Sequence, residues 1–291
     1  MASLKEVKSR ILSVNSTQQI TKAMKMVAAA KLRRAQDRVI QLRPYSDKLR
    51  TILNNLSSSS GSNSKLLQER KINKVLLIVV GSDKGLCGSF NSSVIKYTNQ
   101  LIESDYKKHY ENKKLTILPI GKKMFDHYKK RNFLILDKFW SILKKSSYDD
   151  VAGISNFLMN EFILENYDKI DIIFNEFKNV AVQNTMTSTF LPVNEENDDE
   201  DKNDTNYIFE PNQKDILNKL IPKALTANLF KTILESNASE QGARMTAMSQ
   251  ATDNATELLK ELKLSYNRSR QAAITKEILE IVGGAEALNA N

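Results

Sequence analysis

Cys87 is the only cysteine in the chain, and His109 and His127 are the only histidines. That inventory bounds the chemistry. No intramolecular disulfide can form, and a four-ligand zinc site would need donors beyond these three. A Ser-His-Asp arrangement would rest on the same two histidines, and neither sits in a recognisable motif. The remaining chemical candidate is the turn GSDKGLCGSFN, Gly81 to Asn91. It follows the apolar run Val75 to Val80 and precedes a helical pattern, which is where a dinucleotide fold places its phosphate loop. Its glycines, Gly81, Gly85 and Gly88, fit neither G-x-G-x-x-G nor G-x-x-x-x-G-K-[ST]. Lys84 precedes the second glycine, where a phosphate-loop lysine would follow it. The competing reading is a tight strand-to-helix turn that needs small residues, with Cys87 structural within it.

The elements around that turn follow from pattern. Gly is 9 and Pro 5 of 291 residues, which points to long uninterrupted helices. Ser3 and Glu6 form a capping box that opens a helix at Leu4. A 3,4 spacing then runs in one register through Val7, Ile11, Val14, Gln18, Thr21, Lys25, Ala28 and Leu32 to Leu56. A seam repeating every 3.5 residues requires a partner helix and a left-handed supercoil. At about 1.5 Å per residue the rod reaches about 80 Å, too long for the inside of a compact domain. Pro44 is expected to bend or break it. Gln18, Thr21 and Lys25 are polar at seam positions, with Ile20, Met24 and Val27 beside them. Either they set the register, or the apolar stripe turns outward toward something other than the partner helix. SSSSGSNS, Ser57 to Ser64, reads as a linker.

The middle alternates. Val75 to Val80 is a strand buried on both faces, Asn91 to Ile102 a helix and Leu115 to Ile120 a strand. Lys122 to Lys130 and Asp149 to Asn166 are helices, and Asp171 to Phe177 and Val180 to Leu191 are strands. This is an α/β layer fold of Rossmann-like type. From Gln213 a second seam, Leu217 through Ala273, slips by one to Ile274, Ile278, Ile281, Ala285 and Leu288, with an irregular start at Pro222. It is the partner that the first helix requires, and the connectivity makes the pair antiparallel. The expected domains are 1–57 and 213–291 for the coiled coil, 58–73 for the linker, and 74–212 for the α/β domain. The last carries an acidic loop, 195–204.

Net charge is +9, and residues 1–50 alone carry 12 Lys+Arg against 3 Asp+Glu. Residues 195–204 carry seven acids and one lysine. A basic arm of this kind is either a solvated helix face or a surface for an acidic partner.

Three stretches are specific: ITKAMKMVAAAKLRRAQ (Ile20 to Gln36), SDKGLCGSFN (Ser82 to Asn91), and ASEQGARM onward from Ala238 to Leu288. They resemble the gamma subunit of F-type ATP synthases, closely over about half the chain and in general pattern between about Lys107 and Asn206. The resemblance implies a non-catalytic rotor shaft without cofactor or metal. Its partners would be three alpha and three beta subunits, the epsilon subunit and the ring of c subunits. It would couple proton flow to ATP synthesis or hydrolysis at the beta subunits, and contribute to regulating both. It further implies that Arg270, Gln271 and Thr275, with Met24 and Lys25, contact a beta subunit. Tyr207 and Glu210 match foot positions facing epsilon and the c ring.

The resemblance begins at about Ser3, which leaves no room for a transit peptide. The expected location is the cytoplasmic face of a bacterial plasma membrane, reached only through the complex; a mature mitochondrial chain is the alternative. Two rival readings are kept. One is a basic coiled coil that binds nucleic acid, although Tyr45 is the arm's only aromatic. The other is a nucleotide-binding enzyme that uses the Gly81 to Gly88 turn.

Overall fold

The structure, a computed structural model, describes residues 4–59, 65–144, 147–180, 182–193 and 213–289. In chain order the elements are α1 (Leu4–Ser59), β1 (Val75–Val80), α2 (Phe90–Ser104), α3 (Lys107–Glu111), β2 (Leu115–Ile120) and α4 (Lys122–Lys129). Then come β3 (Leu134–Ile135), α5 (Tyr148–Ile163), β4 (Lys169–Phe177), β5 (Gln183–Leu191) and α6 (Gln213–Asn289). The chain divides into two compact units. One joins residues 1–27 to 245–291, and the other is residues 28–244.

The larger unit holds a five-stranded sheet of order β3-β2-β1-β4-β5. The first four strands are parallel. β5 is antiparallel to β4, because a short loop returns the chain directly without a crossover helix. β1 shows why an unbroken apolar run becomes a central strand. All six residues are buried. Leu76, Ile78 and Val80 face a core with Val151, Leu158 and Phe162 of α5 and Leu217, Ile221 and Leu229 of α6. Val75, Leu77 and Val79 face the other, with Val94 and Ile102 of α2 and Met124 and Tyr128 of α4. Burial of the Tyr128 phenol pushes its pKa up to about 12, so it stays neutral at any physiological pH.

Local chemistry sets the ends of α5. The Ser147 hydroxyl accepts the Asp150 N–H at 3.2 Å, and Asp149 and Asp150 sit in the first turn, where the helix dipole favours anions. At the other end the Arg70 guanidinium donates to the Phe162 carbonyl at 2.7 Å and lies 4.4 Å from the centre of the Phe162 ring.

Pro44 does not break α1, which is continuous from Leu4 to Ser59; the proline sits on the exposed side of the helix. Two expectations are corrected. Ser57 to Ser59 belong to that helix rather than to a linker. Pro222 does not give α6 an irregular start, since the helix begins at Gln213 and passes through it. β3 and α3 escaped the sequence reading because two and five residues carry no usable periodicity.

The sheet closes tightly where β1 and β2 end. Gly121 has φ +100°, and a Cβ there would lie 3.0 Å from the Gly81 carbonyl carbon. Gly121→Ala is therefore expected to destabilise the α/β unit by at least about 1–3 kcal/mol from backbone strain alone. Denaturant unfolding of the variant against the parent would measure it.

Candidate functional site

The turn after β1 is occupied by its own hydrogen bonds. The Ser82 N–H donates to Asn91 Oδ1 at 3.1 Å, and the Ser82 hydroxyl donates to the Lys84 carbonyl at 2.8 Å. Asn91 Nδ2 donates to Ser82 Oγ at 2.7 Å and to Cys87 Sγ at 3.2 Å. Asp83 accepts the Lys122 N–H at 3.0 Å and so caps α4. A Cβ on Gly81 would meet the Met124 side chain at 2.4 Å, so Met124 closes the space beside the end of β1. The N–H of Ser82 and the end of α4 are both satisfied from within. This is a braced turn, and Cys87 is buried inside it. His127 stands against the Arg131 guanidinium, and burial together with that cation lowers its pKa.

The same turn grips α6. Arg244 Nη1 donates to Glu240 Oε1 at 2.6 Å, and Arg244 Nη2 donates to the carbonyls of Lys84 at 3.0 Å and Gly85 at 3.3 Å. Ala243 packs on Cys87 and Phe90. On another side of α6, a Cβ on Gly242 would lie 3.4 Å from the Phe177 ring and 3.6 Å from the Val180 carbonyl, at the β4–β5 turn. Asn175, buried on β4, donates to the Phe90 carbonyl at 3.2 Å and accepts the Thr185 hydroxyl at 2.6 Å. One turn of α6 is thus held between two loops of the sheet. At the tip of the braced turn, Leu86 has φ +62° and is 65% exposed. A leucine held in the left-handed region with its side chain in solvent is a strained, outward-facing group.

In the smaller unit α1 and α6 run antiparallel. Gln18 Nε2 donates to Thr256 Oγ1 at 2.6 Å, Thr252 Oγ1 to Thr21 Oγ1 at 2.8 Å, and Lys25 Nζ to Ser249 Oγ at 2.9 Å. The polar seam residues therefore set a register, and the apolar stripe also turns outward. Ile20, Met26 and Val27 are exposed. The seam passes through half-buried Met24, while Lys25 is exposed. The same register places Leu4 opposite Arg270. Arg270, Gln271 and Thr275 are all exposed, as is every residue from 270 to 285. The expected seam through Ile274, Ile278 and Ile281 faces solvent for that reason: among the described residues, α1 has no further turn to cover it. Arg270 lies 21 positions beyond Ser249 on α6, or about 30 Å along the helix. The structure therefore does not bring Met24 and Lys25 together with Arg270, Gln271 and Thr275. Tyr207, Glu210 and the acidic stretch 195–204 lie outside the described residues.

Glu240 and Arg244 lie within the ASEQGARM stretch without a motif of their own. A charged i,i+4 pair flanked by the seam residues Ala238 and Gln241 was the available signal. Burial raises the Glu240 pKa, and Arg244 opposes that shift. Arg244→Ala would leave a buried carboxylate unpaired, at an expected cost of about 3–5 kcal/mol near neutral pH. A raised acid pKa penalises the folded state only above the ordinary carboxylate range. The deficit should therefore shrink as the pH falls toward that range, and Glu240→Gln in the Arg244→Ala background should recover part of it. Unfolding free energies of the parent and the two variants across pH check both statements.

Comparison with known proteins is consistent along the chain. A family model described as ATP synthase matches residues 3–288. The ATP synthase gamma chain of Cytophaga hutchinsonii is 51% identical over 294 residues, covering 99% of this chain and 100% of that protein. The gamma chain of Christiangramia forsetii is 49% identical over 291 residues, covering 99% and 100%. Among solved structures, a chain of the Euglena gracilis mitochondrial ATP synthase, in a structure of OSCP, F1 and c-ring, superposes with a TM-score of 0.68 at 22% identity. That match covers 99% of this chain and 95% of the other, and shows a shared fold. On the family match and the full-length relatives, this chain belongs to the ATP synthase family, among its gamma chains.

Proposed function

We propose that the chain is the central rotor stalk of a proton-translocating ATP synthase, a subunit that itself makes and breaks no bonds. It couples rotation of a membrane c-ring to ATP synthesis or hydrolysis at beta subunits. The observation that carries the reading is full-length identity of about half to bacterial gamma chains. The helix pair adds a physical rationale: among the described residues α1 leaves Ile274, Ile278 and Ile281 of α6 exposed, free to meet a surrounding surface.

The partners in this reading are three alpha and three beta subunits, epsilon and the c-ring. Arg270, Gln271 and Thr275 would meet a beta subunit, and Met24 and Lys25 would meet another part of the same ring about 30 Å away along the shaft. Tyr207 and Glu210 would face epsilon and the c-ring. The complex would sit at the cytoplasmic face of a bacterial membrane. Among the described residues no helix is long and apolar enough to cross one.

Energetics favour work by shape. Moving a site from 1:99 to 99:1 between two conformations takes about 5.5 kcal/mol of differential contact. Exposed ion pairs supply about 0.2–1 kcal/mol each. Asymmetric packing of a stiff helix pair is the larger lever, with a few desolvated hydrogen bonds such as those of Arg270 providing specificity.

Purification of the tagged chain from its own membranes should yield one copy with three alpha and three beta subunits and ATPase activity. Recovery alone or with nucleic acid would overturn the reading. Arg270→Ala should leave assembly intact and cut proton-driven ATP synthesis by about tenfold or more, through loss of a charged contact. Unchanged synthesis in inverted vesicles would remove Arg270 from the contact.

A further inference from the structure

Parallel order gathers the segments that lead into β1, β2, β3 and β4 on one edge of the sheet. Their contacts show them to be contiguous. The Asn73 and Lys74 N–H groups both donate to Asp168 Oδ2, at 3.0 and 2.9 Å. Lys114 Nζ donates to Asn73 Oδ1 at 2.5 Å, and the Tyr110 and Phe133 rings are 5.0 Å apart.

That edge is strongly basic. Lys71 and Lys74 lead into β1, and Lys107, Lys108, Lys113 and Lys114 into β2. Lys129, Lys130 and Arg131 lead into β3, and all nine side chains are exposed. None forms an ion pair among the described residues. Glu69, Asp105 and Glu111 are exposed beside these cations and offset part of the charge, while three other acids are committed. Asp168 accepts its two N–H groups, Glu165 lies 3.5 Å from Arg70, and Glu161 accepts from Asn166. Between Lys74, Lys113 and Lys114 lies an open hollow of about 330 Å³. Set among the cations are four side chains that water does not favour: Ile72 (42% exposed), Tyr110 (42%), Leu134 (46%) and Leu164 (68%).

The combination selects among polyanions. Eight of the nine cations are lysines, point charges on flexible stems, whereas base or carboxylate recognition would favour the guanidinium fork. Duplex nucleic acid takes up a leucine or isoleucine chiefly by wedging it between base steps, at an unstacking cost. A bilayer interface buries such groups without that cost, and it also accommodates tyrosine at headgroup level and long lysine stems that keep the charge in water. We propose that this edge binds the phosphates of an anionic phospholipid surface, with Ile72, Tyr110, Leu134 and Leu164 seated at headgroup depth. The proposal goes beyond the rotor reading and stands without it: it adds a direct lipid contact to whatever the partners provide.

The test is co-sedimentation of the purified full-length chain with phosphatidylcholine vesicles, with and without phosphatidylglycerol. One variant combines Lys107→Glu, Lys108→Glu, Lys113→Glu and Lys130→Glu. A control makes the same change in net charge on exposed positions of α1: Lys5→Glu, Lys8→Glu, Arg10→Glu and Arg33→Glu. Each lysine near an anionic surface is worth about fivefold in partitioning, so the edge variant should bind the phosphatidylglycerol vesicles more than about 100-fold more weakly. The control should retain most of the binding, and the parent should ignore pure phosphatidylcholine. Leu164→Ser should weaken binding several-fold without altering its salt dependence. Equal loss in both charge variants, no loss in the edge variant, or no binding by the parent would overturn the proposal. So would binding to duplex DNA that exceeds vesicle binding and is lost in the edge variant.

Discussion

A guanidinium withdrawn from water must be met on several sides, and Arg244 is met by three oxygens from two parts of the chain. The Glu240 carboxylate comes from its own helix; the Lys84 and Gly85 carbonyls come from the turn that ends β1. Neutralising Glu240 leaves the Arg244 charge with carbonyl partners only, and removing the turn strips Nη2 of both its acceptors, in a place that tolerates neither. The arrangement is consequently all or nothing. The turn keeps its shape because α6 is present, and α6 keeps its rotation about its own axis because the turn is. Gly242 permits the close approach of the β4–β5 turn, so the helix is held by contacts of different kinds: charged hydrogen bonds to one loop, van der Waals contact to the other.

Where the chain speaks through periodicity it was readable. The period-3.5 seam of α1 and its counterpart in α6, the buried run of β1, and the alternation of strand and helix through β5 all follow from side-chain patterning that burial enforces. The polar positions Gln18 and Thr21 were visible as exceptions, and the structure assigns them cross-helix partners. What patterning could not convey was the end of pairing. The slip from Ala273 to Ile274 looks like a continuing seam, yet a seam is half of an interface, and the sequence of one helix does not say where its partner stops. Likewise Met24 and Lys25 are neighbours with opposite fates, and only the supercoil's actual phase decides which turns inward.

The braced turn was the least legible element. Its glycines suggested two chemistries, and its spacing matched neither phosphate-loop pattern. The deciding facts, the Met124 side chain against Gly81 and the Ser82 and Lys122 N–H groups already satisfied, are made by residues some forty positions away or on another element. Ser82, Asn91 and Asn175 looked like ordinary polar residues; buried or half-buried, they form the joinery that lets a turn with a left-handed leucine persist. Strain at Leu86 is sustained because its neighbours are over-determined.

The placement of α6 also bears on how the chain comes into being. One face of the sheet is completed by Leu217, Ile221 and Leu229, which leave the ribosome only after every strand has been made. The buried stripe of α1, made first, likewise waits for residues near the far end of the chain. Long-range contacts of this kind close late and slowly. For most of its synthesis the nascent polypeptide therefore carries an apolar stripe and a half-covered sheet with nothing of its own to cover them, the circumstance in which unassembled chains aggregate or engage chaperones. Truncation reaching back to Leu259 and Ala255, the last buried residues of α6, would then act chiefly on yield, before any question of activity arises.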